Sequence, residues 1–187
     1  MGRRGRDLRP LRAFWNDWWT DAVMDHSVVG ARVLLDIGFP AARTRLRSLA
    51  AGEMLPQAAE AAYGQGTTSL VKLAGPAAGL TRLADVRLAD LTEAEDCAHI
   101  ALQWDAIAAD GTLFTALLAD LIVSPAGDQI AALSLTGSYW PPTERTGAGP
   151  GQATVRYCAA AAIGSFLKSV AYELAHPAST PKPSTAA

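Results

Sequence analysis

From residue 26 onward, hydrophobic and polar positions pass from strand-like alternation to helical spacing and back. His26–Ile37 reads as a strand: Val29, Ala31, Val33, Leu35 and Ile37 share one face, Arg32 and Asp36 the other. Phe39-Pro40 ends it. A helix is predicted over Ala41–Ala51, with Leu46 and Leu49 on one side and Gly52 as its stop. Pro56 opens a second, short helix, Gln57–Tyr63, closed by Gly64 and Gly66. Ser69–Ala74 then reads as a short strand, with Gly75-Pro76 and Gly79 as a turn.

The next segments have the lengths and turns of an antiparallel meander. Leu80–Leu91 leads into the acidic turn Thr92–Asp96. In Ala98–Ile107, Ile100, Leu102, Trp104 and Ala106 face one way, His99, Gln103 and Asp105 the other. Asp110-Gly111 is a hairpin signal. Leu113–Val123 follows, then the turn Ser124–Asp128 and a last strand, Ile130–Trp140. Pro141-Pro142 stops that strand, and Thr143–Gly151 is a polar, glycine-rich loop. One long helix is predicted over Gln152–Ala175. Val155, Cys158, Ala159, Ala162, Phe166, Val170 and Leu174 form its stripe, at spacings of mostly three and four. A helix with such a stripe needs an apolar sheet face to cover it.

The ends differ from this middle. Residues 1–25 hold five of the sixteen Lys and Arg residues and three of the five Trp. Within residues 8–22, Leu8, Leu11, Trp15, Trp18 and Ala22 recur at helical spacing. The segment is an amphipathic arm or helix, either docking on its own domain or contacting a protein partner. Asp17, Asp21 and Asp25 dilute the basic face an anionic membrane would select. Residues 177–187, rich in Pro, Ser and Thr, read as a disordered tail. The domain proper spans residues 26–176.

Composition narrows the class. Half of the 187 residues are hydrophobic and 18% are charged, against about 25% in average chains. Such a chain has ample material for one core. A formal charge of −2 argues against a generally basic nucleic-acid binder. No window approaches the roughly 20 apolar residues of a membrane span. Asp7, Arg9, Arg12 and Asp17 interrupt what would be a signal peptide's apolar stretch, so a cytoplasmic protein is expected. Cys97 and Cys158 have no metal-ligand spacing and form no disulfide framework.

The element order, with the C-terminal half in particular, resembles the START-like superfamily of polyketide cyclases and lipid-transport proteins. The resemblance runs through Leu113-Phe114, Leu117, Ala119-Asp120-Leu121 and Ser124-Pro125. It continues through Leu133–Gly137, Tyr139 and Pro141-Pro142 to Ala161–Leu167. It looks like an uncharacterised actinobacterial group of that superfamily, from which Thr143–Gln152 departs in being polar and glycine-rich. The resemblance implies an α+β helix-grip fold, a curved antiparallel sheet wrapped around a long C-terminal helix. It also implies a cavity between the two for a small hydrophobic ligand such as a lipid or polyketide. The strand positions expected to line it are Leu102, Trp104, Leu117, Leu121, Leu133, Leu135 and Tyr139. The long helix would add Tyr157 or Cys158, Ala162 and Phe166. Ordinary core packing is the competing role for each apolar side chain. Trp104 and Tyr139 differ in having polar tips that need a partner when buried, which a ligand can supply.

Chemistry is sparse. No G-x-S-x-G elbow and no phosphate-binding Gly-Lys-Ser/Thr loop occurs. The Gly147-Ala148-Gly149 run lacks the spacing and the βαβ setting of a dinucleotide loop. His26, His99 and His176 lie far apart, so no metal or cofactor site is expected. The acid–base candidates are Asp105 and Asp120. Asp120 is either a buried carboxylate of raised pKa or an outward residue paired with a base such as Arg87. The leading expectation is carriage of a small hydrophobic ligand without catalysis. The alternatives are a polyketide cyclase or aromatase using the same cavity, and an interaction protein acting through its Trp-rich arm.

Overall fold

The computed structural model describes residues 27–74, 82–107, 111, 113–140 and 152–176. The arm at residues 1–25, the Asp110-Gly111 hairpin as a whole, the loop 143–151 and the tail 177–187 lie outside the described residues.

The chain is an α+β helix-grip fold. In order, its elements are β1 (Ser27–Leu35), α1 (Phe39–Ala50), α2 (Met54–Ala74), β2 (Arg82–Leu88), β3 (Thr92–Glu93), β4 (Ala98–Ile107), β5 (Leu113–Gly127), β6 (Ile130–Tyr139) and α3 (Gln152–Ala175). The six-stranded antiparallel sheet has the order β1-β6-β5-β4-β2, with β3 on β4. β4, β5 and β6 form the predicted meander, and β1 closes back against β6. Helices α2 and α3 pack on each other; α3 also meets β1 and β6, and α2 meets β2.

The period of two sorts each central strand. Along β4, Ile100, Leu102 and Trp104 are buried, while His99, Ala101 and Gln103 are partly exposed. Register then stacks the inward residues into cross-strand rows: Trp104–Leu117–Tyr139, Leu102–Ala119–Gly137 and Ile100–Leu121–Leu135. The middle row is small. At Gly137 an added Cβ would fall on the carbonyl of Leu118 and the Cα of Ala119. The backbones therefore approach there as only glycine permits, consistent with a bend in the sheet.

Two expectations about elements change. The short helix Gln57–Tyr63 and the strand Ser69–Ala74 are one helix, α2, of 21 residues. Its buried stripe, Leu55, Ala58, Ala59, Ala62, Tyr63, Gly66 and Leu70, keeps helical spacing through both glycines. Gly66 is no terminator. A Cβ there would lie 2.9 Å from the Ala162 Cβ and 3.4 Å from the Cys158 carbonyl, so its bareness sets the approach of α2 to α3. The turn expected over Ser124–Asp128 shrinks to Asp128 and Gln129, because β5 continues through Pro125 to Gly127, with a bulge at Ala126. Proline is tolerated at such a bulge. Helix α3 keeps its predicted bounds. Its segment Arg156–Ala175 is long and apolar enough, at mean hydropathy 1.2, to cross a membrane by composition alone. Half of that segment is buried in the fold, where the sheet and α2 take up its apolar stripe.

Arg45 of α1 joins the first helix to the last. Its Nη1 donates to the Leu174 carbonyl at 2.6 Å and to the Ala175 carbonyl at 3.2 Å. These are carbonyls that the end of a helix leaves unpaired.

Candidate functional site

Seven of the residues expected to line the ligand site, Leu102, Trp104, Leu117, Leu121, Leu135, Tyr139 and Phe166, share the face of the sheet beneath α3. Trp104, Leu117 and Tyr139 form a single row across β4, β5 and β6. Leu121 and Leu135 are register partners two rows away, and Leu102 on β4 belongs to the row between. From α3, Phe166 meets the Trp104 ring edge to face, with centroids 5.3 Å apart and planes at 81°. That geometry is the preferred one for aromatic pairs. All seven are buried, with relative exposures of 0–2%. Leu133 and Ala162 share the layer, and of the pair Tyr157 and Cys158 it is Cys158 that turns inward, while Tyr157 is exposed. In this structure these side chains pack against one another as core.

The Trp104 row lies at the end of the sheet where β6 finishes and α3 begins. There the helices offer small residues, Gly66 from α2 and Cys158, Ala159 and Ala162 from α3. A Cβ placed on Gly66 would stand 3.7 Å from the Tyr139 hydroxyl, which puts that hydroxyl at the crossing of the two helices. Burial pushes the Tyr139 pKa far up, with Tyr63 and Cys158 adding to the effect, and burial raises the Cys158 thiol as well. Both groups are therefore neutral through the physiological range. The Trp104 Nε1 is buried with no hydrogen-bond partner among the described residues.

The acid–base candidates stand on the opposite, convex face. Asp105 faces outward with Gln103, as its strand position predicts, yet the structure buries it to 3% exposure. Register shifts at Ala84 on β2 and Ala116 on β5 flank it. Gln103, Thr115 and Arg87 close over its carboxylate, so that Trp104, Asp105 and Ala106 are buried in succession. The carboxylate accepts from Gln103 Nε2 at 2.8 Å, Thr115 Oγ1 at 3.1 Å and Arg87 Nη2. Burial pushes its pKa up, but the hydrogen bonds from Gln103, Arg87 and Thr115 outweigh that and hold it below the usual carboxylate value. Arg87 thus serves Asp105, with Asp85 3.6 Å away, and is not the partner of Asp120. Asp120 faces His99 on the neighbouring strand, 3.6 Å from its Nε2. None of the three groups lies on the concave face. Among the described residues no group of three or more His, Cys, Asp or Glu could hold a metal.

A second concavity was not anticipated from the sequence. A groove of about 460 Å3 runs between the end of β1 and the last turns of α3. Leu34, Ile37 and Ala171 line it, with Asp36, Lys168 and His176 also on its walls. The His176 ring stacks on Tyr172, with centroids 4.6 Å apart.

Among solved structures, the chain is similar to a conserved protein from Geobacillus kaustophilus, at 12% identity and TM-score 0.42 over 80% of this chain and 95% of that one. It is also similar to the ZhuI aromatase/cyclase from Streptomyces sp. R1128, at 8% identity and TM-score 0.32 over 83% and 100% of the two chains. A third is norcoclaurine synthase from Thalictrum flavum in complex with dopamine and hydroxybenzaldehyde, at 8% identity and TM-score 0.35 over 96% and 98%. No family profile and no curated sequence matches the chain.

Proposed function

We propose that the protein binds a small hydrophobic ligand between the concave face of the sheet and α3, at the end marked by Trp104, Leu117, Tyr139 and Phe166. The observation that carries this reading is the meeting of large aromatic side chains from the sheet with small residues from the helices. Phe166 and Trp104 meet edge to face, and the bare Gly66 approaches Ala162, Cys158 and the Tyr139 hydroxyl. Ligand sites are typically apolar with a few placed polar groups, and this layer has that character. Carriage is favoured over catalysis because Asp105, Asp120 and His99 stand on the convex face, and Asp105 is committed to Arg87, Gln103 and Thr115.

A thermal-shift panel of fatty acids, sterols and aromatic polyketides tests the reading. A ligand at one hundred times its Kd adds about 2.7 kcal/mol of stability, enough to read as a clear rise in Tm. A chain whose Tm is indifferent to the whole panel contradicts the proposal.

A further inference from the structure

We infer that the ligand carries a neutral hydrogen-bond-accepting oxygen, and that Trp104 Nε1 donates to it; this rests on the binding reading above. The indole N–H is a donor only. It is buried and without a partner among the described residues, in a mostly apolar layer. A buried donor left unmade is costly, and such orphans are rare in native proteins. An acceptor brought in by a ligand removes that cost, so the acceptor contributes to affinity through a donor the protein already holds unpaired.

The surroundings restrict what that acceptor can be. Among the described residues the only buried charged residue is Asp105, and its oxygens are taken up on the convex face. No buried cation among the described residues stands beside Trp104 to neutralise an anion, and an unpaired charge is strongly disfavoured in an apolar layer. A ketone, quinone or ether oxygen fits; a carboxylate does not. The neutral Tyr139 hydroxyl lies in the same cross-strand row and makes that end of the layer the polar one.

The test uses the full chain and three probes of one shape: 2-acetylnaphthalene, 2-ethylnaphthalene and 2-naphthoate at pH 7.5. Affinity is measured by calorimetry and the indole N–H resonances by 15N-edited NMR. The expected result is that the ketone binds about tenfold tighter than the hydrocarbon. The carboxylate is the weakest, and the ketone shifts the Trp104 N–H resonance downfield. Trp104→Phe keeps an aromatic ring and removes the donor, so it abolishes the preference for the ketone while the hydrocarbon still binds. Because the preference is read first in the unmodified chain, a poorly folded variant does not decide the outcome. Equal binding of ketone and hydrocarbon, or tightest binding of the carboxylate, overturns this inference and leaves the binding reading standing. Failure of both neutral probes to bind, with an indifferent thermal-shift panel, overturns both.

Discussion

Trp104 of β4 and Phe166 of α3 meet edge to face, 5.3 Å between ring centroids, and this contact ties the last helix to β4. Both rings are buried. Phe166→Ala is expected to cost about 3–5 kcal/mol in urea denaturation, the range for deleting a buried aromatic. A double-mutant cycle with Trp104→Leu and Phe166→Leu should return a coupling of about 0.5–1.5 kcal/mol for the ring pair. Zero coupling would mean that the rings fill space without recognising each other.

Asp105 makes stability depend on pH at the acid end. Its pKa is lowered in the folded chain, so its contribution is fully present above the unfolded carboxylate value of about 4 and is lost as pH falls through the folded value. Asp105→Asn should cost about 2 kcal/mol at pH 7, in the range for a hydrogen-bonded charged group. The gap between the two chains should narrow steadily from pH 4 downward, as read from urea midpoints. A gap that stays constant to pH 2.5 would show that the carboxylate's charge is irrelevant.

Gly66 and Ala162 set the spacing of α2 and α3. Gly66→Ala gains helix propensity of about 1 kcal/mol but forces a Cβ to within 2.9 Å of its neighbour, an overpacking worth about 1–3 kcal/mol. A net loss in Tm is expected. Ala162→Gly in the same chain should relieve the overlap, so the double variant loses less than the two single losses combined. Simple additivity of the two losses would place the steric conflict elsewhere.

Arg45 holds the C-terminal turn of α3 through the carbonyls of Leu174 and Ala175. Arg45→Met keeps most of the apolar stem and removes the donors, and should cost about 1.5–3 kcal/mol. Amide exchange should quicken in the last turn of α3 and little elsewhere. Uniform quickening would indicate a global role for Arg45.

Much of this architecture is legible in the residues, and the exceptions have physical causes. The alternation of Ile100, Leu102 and Trp104 and the stripe from Cys158 to Leu174 each face one dominant apolar surface, so period alone places them. Gly66 reads as a stop in the sequence because glycine ends a helix by its own preferences. Here it is retained for a close approach that only the partner helix reveals. The face of Asp105 is legible from the period of its own strand, but its burial is not, because Arg87 and Thr115, which cover the carboxylate, come from neighbouring strands. The orphaned donor of Trp104 was half visible: a buried indole needs a partner, but only the structure shows that none of the described residues supplies one.

Native mass spectrometry of the chain purified from the cells that make it tests ligand carriage most directly. The account predicts one apolar small molecule per chain, released on unfolding and bearing a neutral acceptor oxygen. A chain that emerges bare, and whose Tm no apolar compound raises, would contradict it.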